Sequence, residues 1–218
     1  MEITWYGLTC FRLSERGMAN VVTDPYPPEL GLEYTRPRGN IVTISRNTPE
    51  CSYVSGVRGP SKILDGPGEY EIGGVFVTGV RTFADSKNGK VNGLNTIFMC
   101  DFDGLTICHL GLLGHVPTQS QVEDLGTVDV LLLPVGGGGA LTPAKASEVI
   151  SLFEPSIVIP MYYKIPGLEL DAKLGTLNRF LKEMGLDEVE TEERFKVTSS
   201  SLSDETQVVV LEPSAEKV

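Results

Sequence analysis

Strand-like alternation dominates the first half of the chain, while buried runs alternating with helical periods dominate the second. Ile3 to Leu13 and Val21 to Thr23 are rich in β-branched and aromatic residues and read as strands, the second halted by Asp24-Pro25-Tyr26-Pro27-Pro28. Asn40 to Ser45 is a short, nearly continuous apolar strand. Two strand pairs follow a turn at Gly66-Pro67-Gly68: Glu71 to Phe83, broken by Gly73-Gly74, and Thr96 to Leu110, turned at Asp101-Phe102-Asp103-Gly104. The texture then changes. Thr118 to Leu125 reads as a short helix, and Val128 to Val135 as a buried strand ending in Gly136 to Gly139. Thr142 and Pro143 supply an N-cap and a first helical position for a helix to Phe153, and strand Ile157 to Met161 follows. Apolar residues at 170, 174, 177, 181 and 184, with Gly185 beyond them, predict a helix from Leu170 to Met184. Phe195 to Thr198 and Thr206 to Leu211 return to strand before an irregular tail. No linker or short repeat interrupts this order, which predicts one α/β domain over residues 1–218.

Composition narrows the classes of function. A net charge of −11 repels phosphate backbones, and Arg36, Arg38, Arg46 and Arg58 are too scattered to make a basic patch. Nucleic acid is therefore not an expected partner. No apolar run approaches the ~20 residues that cross a bilayer, so no membrane is expected either. The start, Met1-Glu2-Ile3-Thr4-Trp5, has no basic stretch followed by an apolar one, and a cytoplasmic location is the expectation. Cys10, Cys51, Cys100 and Cys108 form no Cys-x-x-Cys pair, which argues against a disulfide scaffold or a cysteine zinc site.

Several segments carry more specific information, taken in order. They are Trp5-Tyr6-Gly7 with Cys10-Phe11; Thr23-Asp24-Pro25-Tyr26; strand 40–45 with the polar loop to Cys51; and Gly66-Pro67-Gly68-Glu69-Tyr70-Glu71-Ile72-Gly73-Gly74. His109-Leu110-Gly111, Leu113-Gly114-His115, the run 128–137 and Ile159-Pro160-Met161 complete the set. Together they resemble the metallo-β-lactamase superfamily, most specifically its small branch of Zn-dependent hydrolases related to the lactonase that opens ascorbate-6-phosphate. The resemblance covers nearly the whole chain and implies an α/β fold, the four-layer αββα sandwich. It also implies that self-association is plausible, since relatives in this branch are often oligomeric.

The resemblance further implies a metal centre: a His-x-His-x-Asp-His loop, a further histidine, a bridging aspartate and a last histidine. Such a centre lowers the pKa of a bound water to about 7 and makes it a nucleophile. The matching positions here are Arg46, Thr48, Glu50 and Cys51 in the loop, Ala84 beside Asp85, Leu112, and Tyr162; a histidine common after the first strand corresponds to Leu8. The chain has two histidines, His109 and His115, and neither matches a ligand position. Arg46 instead brings a permanent positive charge to where a dication would sit. An Arg46–Glu50 ion pair replacing the metal charge is the expectation, and neither metal nor other cofactor is expected.

The remaining candidates have bland readings beside sharper ones. Cys51 could be a nucleophile activated by Arg46, or an inert replacement in a closed site. His109 and His115 could be relics of a substrate pocket, or satisfied structural histidines. Asp24 and Asp85 could line the old pocket, though Asp24 before Pro25 also suits a turn. Gly136 to Gly139 lack the spacing of a phosphate-binding loop and read as a plain strand–helix connection. The sequence thus predicts a non-catalytic binding, assembly or regulatory protein, with an unknown protein or small molecule as partner. The alternative is a hydrolase, with an atypical metal site or metal-independent chemistry at Cys51.

Overall fold

The parallel centre of each of two sheets brings its strand ends to one edge of the molecule, and the fold follows from that convergence. A computed structural model describes residues 1–32 and 36–214; the end of the irregular tail lies outside the described residues. The strands are β1 (Glu2–Gly7), β2 (Cys10–Ser14), β3 (Val21–Thr23), β4 (Ile41–Thr43), β5 (Lys62–Leu64), β6 (Gly68–Ile72), β7 (Val75–Phe83), β8 (Leu94–Asp101) and β9 (Thr106–His109). Helix α1 (Gln119–Leu125), β10 (Val130–Pro134), α2 (Pro143–Phe153), β11 (Ile157–Met161) and α3 (Leu177–Glu183) follow. Four two-residue strands close the chain: β12 (Thr191–Glu192), β13 (Phe195–Lys196), β14 (Gln207–Val208) and β15 (Val210–Leu211).

The first sheet runs β13-β1-β2-β3-β4-β5 and the second β14-β11-β10-β9-β8-β7-β6, with β12 and β15 paired apart. Strands β3, β4 and β5 are mutually parallel, as are β9, β10, β11 and β14. Full burial of β10 and β11 matches their unbroken apolar runs, since parallel strands are covered on both faces. Strand β7 alternates instead, with Val75, Val77 and Gly79 buried between more exposed neighbours. The sheets meet through aromatic side chains: Phe11 of β2 approaches the ring of His109 at the end of β9, edge to face at 6.3 Å.

Two expectations about elements are corrected. The run from Ile3 divides at Leu8-Thr9, where Leu8 takes a positive φ of 49°. The last helix starts at Leu177 rather than Leu170. The backbone before it is already in use: Gly175 N–H donates to Gly136 at 2.8 Å, Lys164 N–H donates to Gly175 at 2.8 Å, and Leu174 bridges Gly137. Tertiary pairing with the glycine run overrides the helical period. Strand β5, only three residues long, carries no alternation or apolar run that would predict it.

Candidate functional site

The carboxyl ends of β3, β4, β9, β10 and β11 supply the loops that surround the site, the usual position of a ligand crevice in sheets with parallel strands. The floor is polar and closed. Asp24, fully buried with φ 38°, follows β3 directly. Its carboxylate accepts the Ser45 N–H at 2.6 Å and the Ser45 hydroxyl at 2.5 Å, which fixes the start of the loop after β4. His109 Nε2 lies 2.9 Å from the Thr9 carbonyl, to which it donates, and 4.0 Å from Asp24 Oδ2, while its Nδ1 is buried without a partner. Burial pushes the Asp24 carboxyl up to about 7, against the hydrogen bonds from Ser45, Thr9 and Cys51. The same desolvation lowers His109 to about 4. Both groups are thereby driven toward their neutral forms.

Backbone contacts hold the surrounding loops at close range. A side chain on Gly111 (φ 58°) would place its Cβ 2.4 Å from Ser45 Cβ, and one on Gly136 would lie 2.3 Å from the Tyr162 carbonyl, so both positions require glycine. Asn95, buried between the sheets, donates to the Thr82 hydroxyl at 2.9 Å and the Leu110 carbonyl at 3.0 Å, and accepts the Leu112 N–H at 2.9 Å. It is the support of the 110–112 loop, and no motif in the sequence marks it.

The structure separates the candidate residues into three groups. Arg46, Glu50 and Tyr162 share a cleft of about 390 Å³, together with Leu30, Pro49, Asn92, Gly138, Glu169, Leu170, Asp171 and Ala172. Cys51, Leu8, Ala84 and Leu112 are buried beneath or beside it, and Thr48 is half-buried. His115 and Asp85 serve the neighbouring loops. His115 Nδ1 donates to the Val116 carbonyl at 2.9 Å, and its Nε2 accepts the Phe83 N–H at 3.3 Å. The Asp85 carboxylate accepts the N–H groups of Lys87, Gly89, Val91 and Asn92 at 2.6–3.0 Å, closing its own loop. Those bonds, Asn92's first, hold its carboxyl down at about 2 against the opposing effect of desolvation.

Arg46 and Glu50 do not form the expected ion pair: no carboxylate lies within 4.0 Å of the Arg46 guanidinium among the described residues. Arg46 is half-buried, lines the cleft and has no carboxylate partner among the described residues. Tyr162 (φ 53°) is 4% exposed, and its hydroxyl makes no hydrogen bond among the described residues. Burial, with the neighbouring Cys51 and Glu50, pushes the Tyr162 phenol up, outweighing Arg46, so it stays a proton donor. Cys51 is fully buried, and desolvation followed by the charges of Asp24 and Glu50 raises its thiol well above the ordinary value. A buried neutral thiol is a poor nucleophile.

The glycine run after β10 is more than a connection, because Gly138 (φ 66°) forms part of the cleft wall. Asn92, Glu169 and Asp171 also line the cleft and were missed in the sequence. Asp171 falls inside the predicted helix 170–184 and Glu169 just before it, in a segment that is irregular here.

The residues present do not fit a metal ion. Among the described residues no three His, Cys, Asp or Glu side chains come together as a ligand set. Ala84 and Leu112 have no donor atom, Cys51 is a neutral buried thiol, and Arg46 carries a fixed positive charge at the cleft.

This sandwich, with its crevice at the strand ends, is the four-layer αββα architecture of the metallo-hydrolases. The family model of the Beta-lactamase superfamily domain matches residues 2–162, and the chain belongs to that family. A crystal structure from Thermotoga maritima, described as a candidate Zn-dependent hydrolase of the metallo-beta-lactamase superfamily, is 35% identical. It matches with a TM-score of 0.78 over 96% of this chain and 97% of that one. A UPF0173 metal-dependent hydrolase of Thermoplasma acidophilum is 29% identical over 190 residues, covering 75% of this chain and 83% of that protein. A UPF0173 metal-dependent hydrolase of Methanoculleus marisnigri is 26% identical over 185 residues, covering 75% and 81%.

These relatives overturn the expectation of a non-catalytic binding, assembly or regulatory protein, since they point to a hydrolase. The physical reason for the error is that loss of metal ligands was equated with a closed site. A cleft of about 390 Å³ is open at the strand ends and is lined by Arg46, the Tyr162 side chain and the carboxylates of Glu50, Glu169 and Asp171. No helix among the described residues is long and apolar enough to cross a membrane.

Proposed function

We propose that this chain is a hydrolase of carboxylic esters or lactones whose cleft works through side chains rather than a metal pair. The observation that carries the reading is the Arg46 guanidinium and the Tyr162 hydroxyl, neither with a side-chain partner among the described residues, in one cleft with Glu50. Hydrolysis of an acyl bond needs a base for water and donors for the charge that develops on the carbonyl oxygen. Glu50 takes a proton from water as the water oxygen bonds to the acyl carbon. Arg46 and Tyr162 donate to the resulting oxyanion. As the tetrahedral species collapses, the bond to the leaving oxygen breaks and Glu50 returns the proton to it, giving acid and alcohol.

Removal of one oxyanion donor typically costs about 10²–10³ in kcat, and Arg46→Ala should lose activity on that scale. Glu50→Gln should lose at least as much, and Tyr162→Phe less. The test is turnover of a p-nitrophenyl ester and γ-lactone panel by protein freed of metal with chelator. Absence of turnover overturns the proposal; so does activity abolished by chelator and restored by zinc, which would reveal a displaced metal site. We further infer a reducing, cytoplasmic setting, supported by four free cysteines, and a small-molecule partner rather than nucleic acid, supported by the net charge of −11.

A further inference from the structure

We infer that Asn88 is a site of spontaneous conversion to aspartate and isoaspartate whose rate is set by the Asp85 carboxylate, and that Asn92 in the same loop is protected. This is independent of the reading of the cleft as a hydrolase site. Asn88-Gly89 and Asn92-Gly93 are the two Asn-Gly pairs of the chain. In such a pair the glycine nitrogen, once deprotonated, attacks the asparagine Cγ, since the glycine has no side chain to obstruct it. The new C–N bond closes a five-membered succinimide as the bond to Nδ2 breaks. Ammonia leaves, carrying the proton that the glycine nitrogen gave up. Water then opens the ring at either carbonyl, giving aspartate or isoaspartate.

The backbone of the loop imposes both pairs. Asn88 is exposed with φ 56°, a left-handed conformation that asparagine tolerates better than most residues. Gly89 has φ 77°, and an added Cβ would lie 2.9 Å from Phe83 Cδ1 and 3.1 Å from the Gly93 carbonyl oxygen. No larger residue can stand there to shield the nitrogen. Gly93, with φ 82°, is likewise held in the left-handed region. The liability comes with the turn.

The two pairs are held differently. The Asn88 side chain has no hydrogen bond among the described residues, so only the Gly89 nitrogen is restrained. Its N–H donates to Asp85 Oδ1 at 3.0 Å, beside the Lys87 N–H at 2.7 Å on the same oxygen. Donation to an anion stabilises the protonated nitrogen and holds the peptide plane, and both oppose ring closure. The Asp85 carboxyl, held at about 2, stays ionised through the neutral and alkaline range in which the reaction runs. Asn92 is fixed at both reacting ends. Its Nδ2 donates to the Ala84 carbonyl at 3.0 Å, and the Gly93 N–H donates to the Gly89 carbonyl at 3.0 Å. Its Cγ cannot turn toward that nitrogen without breaking those bonds. Conversion at Asn88 adds a negative charge, and in the isoaspartyl form a backbone methylene, to the loop that carries Asn92 into the cleft wall.

The test follows both asparagines in the full chain during incubation in mildly alkaline buffer, folded and in urea. Peptide mapping by mass spectrometry reads the gain of an acid at each, and labelling by isoaspartyl methyltransferase reads the isoaspartyl form. In urea the two pairs should convert at similar rates. In the folded chain Asn88 should convert about tenfold more slowly than in urea, the factor expected from one charge-assisted hydrogen bond. Asn92 should be slower still. Asp85→Asn should recover most of that factor at Asn88 and leave Asn92 behind. Asn88→Gln should remove the isoaspartyl signal of the folded chain.

Equal rates at Asn88 in the folded and unfolded chain overturn the inference, as does conversion of Asn92 ahead of Asn88. No conversion at Asn88 in the folded chain by the time the unfolded one has converted fully overturns it too. In Asp85→Asn, acceleration confined to Asn88 supports the gate. An unchanged rate there, or equal acceleration at both asparagines as general unfolding would give, sinks it. If Asp85→Asn fails to fold, the order of the two sites and the folded-to-unfolded ratio in the parent still decide.

Discussion

The carboxylate of Asp24 and the hydroxyl of Ser45 sit 2.5 Å apart in a pocket sealed from solvent, and this contact ties the end of β3 to the loop that carries Arg46. Beside it, His109 Nε2 stands 4.0 Å from the same carboxylate. The two titratable groups act oppositely on stability. Between pH 4 and 7 folded Asp24, with its carboxyl raised to about 7, keeps a proton that the unfolded chain has released, so its contribution falls as pH rises. Folded His109, lowered to about 4, lacks a proton that the unfolded chain binds up to about pH 6.5, so its contribution rises with pH. Asp24→Asn should therefore gain stability relative to the parent from pH 4.5 to 6.5, and His109→Gln should lose it, each on the order of 2 kcal/mol. Urea midpoints at the two pH values measure this; parallel profiles for all three proteins would refute it.

Arg46→Ala should leave the melting temperature within about 2 °C of the parent, because an unpaired, half-buried cation contributes little to stability. The expectation of a charge-replacing ion pair demands a clear loss instead. Differential scanning calorimetry decides between them.

Asp85→Ala should lower the melting temperature by several degrees and speed amide exchange at Lys87, Gly89, Val91 and Asn92 together, since one carboxylate serves all four N–H groups. With that carboxyl held at about 2, the parent should retain the contribution above pH 4 and lose it as pH falls from there toward 2. Exchange rates that rise at only one of the four amides would argue against a single clamp.

All four thiols should resist labelling in the native protein and react only on unfolding, because each is fully buried with its ionisation suppressed by desolvation. Rapid modification confined to Cys51, lost in Cys51→Ser, would restore the idea of a reactive cysteine. Stoichiometric dithionitrobenzoate titration with and without urea is sufficient.

Much of the fold could be read from residues whose local and tertiary preferences agree. The apolar runs at 128–135 and 157–161 are strands because parallel pairing covers both faces, and Pro143 starts a helix where its missing N–H is harmless. Leu170 and Leu174 misled because their helical spacing competes with backbone pairing to the glycine run, which no local pattern encodes. At the site, Arg46, Glu50 and Tyr162 were legible through their positions in the family motifs. Asn92, Glu169 and Asp171 were not, since the long loops that deliver them to the cleft have no periodic signature. The Arg46–Glu50 pair failed for a related reason: four residues of separation in an irregular loop do not set side-chain direction as they would in a helix.

Arg46 carries one more consequence. A dication must be captured from the surroundings, and its occupancy follows supply, competing ions and pH. The guanidinium is part of the polypeptide and arrives with translation. Every folded copy therefore holds the same charge at the mouth of the cleft, in a metal-starved cell as in a replete one, and no wrong ion can take its place.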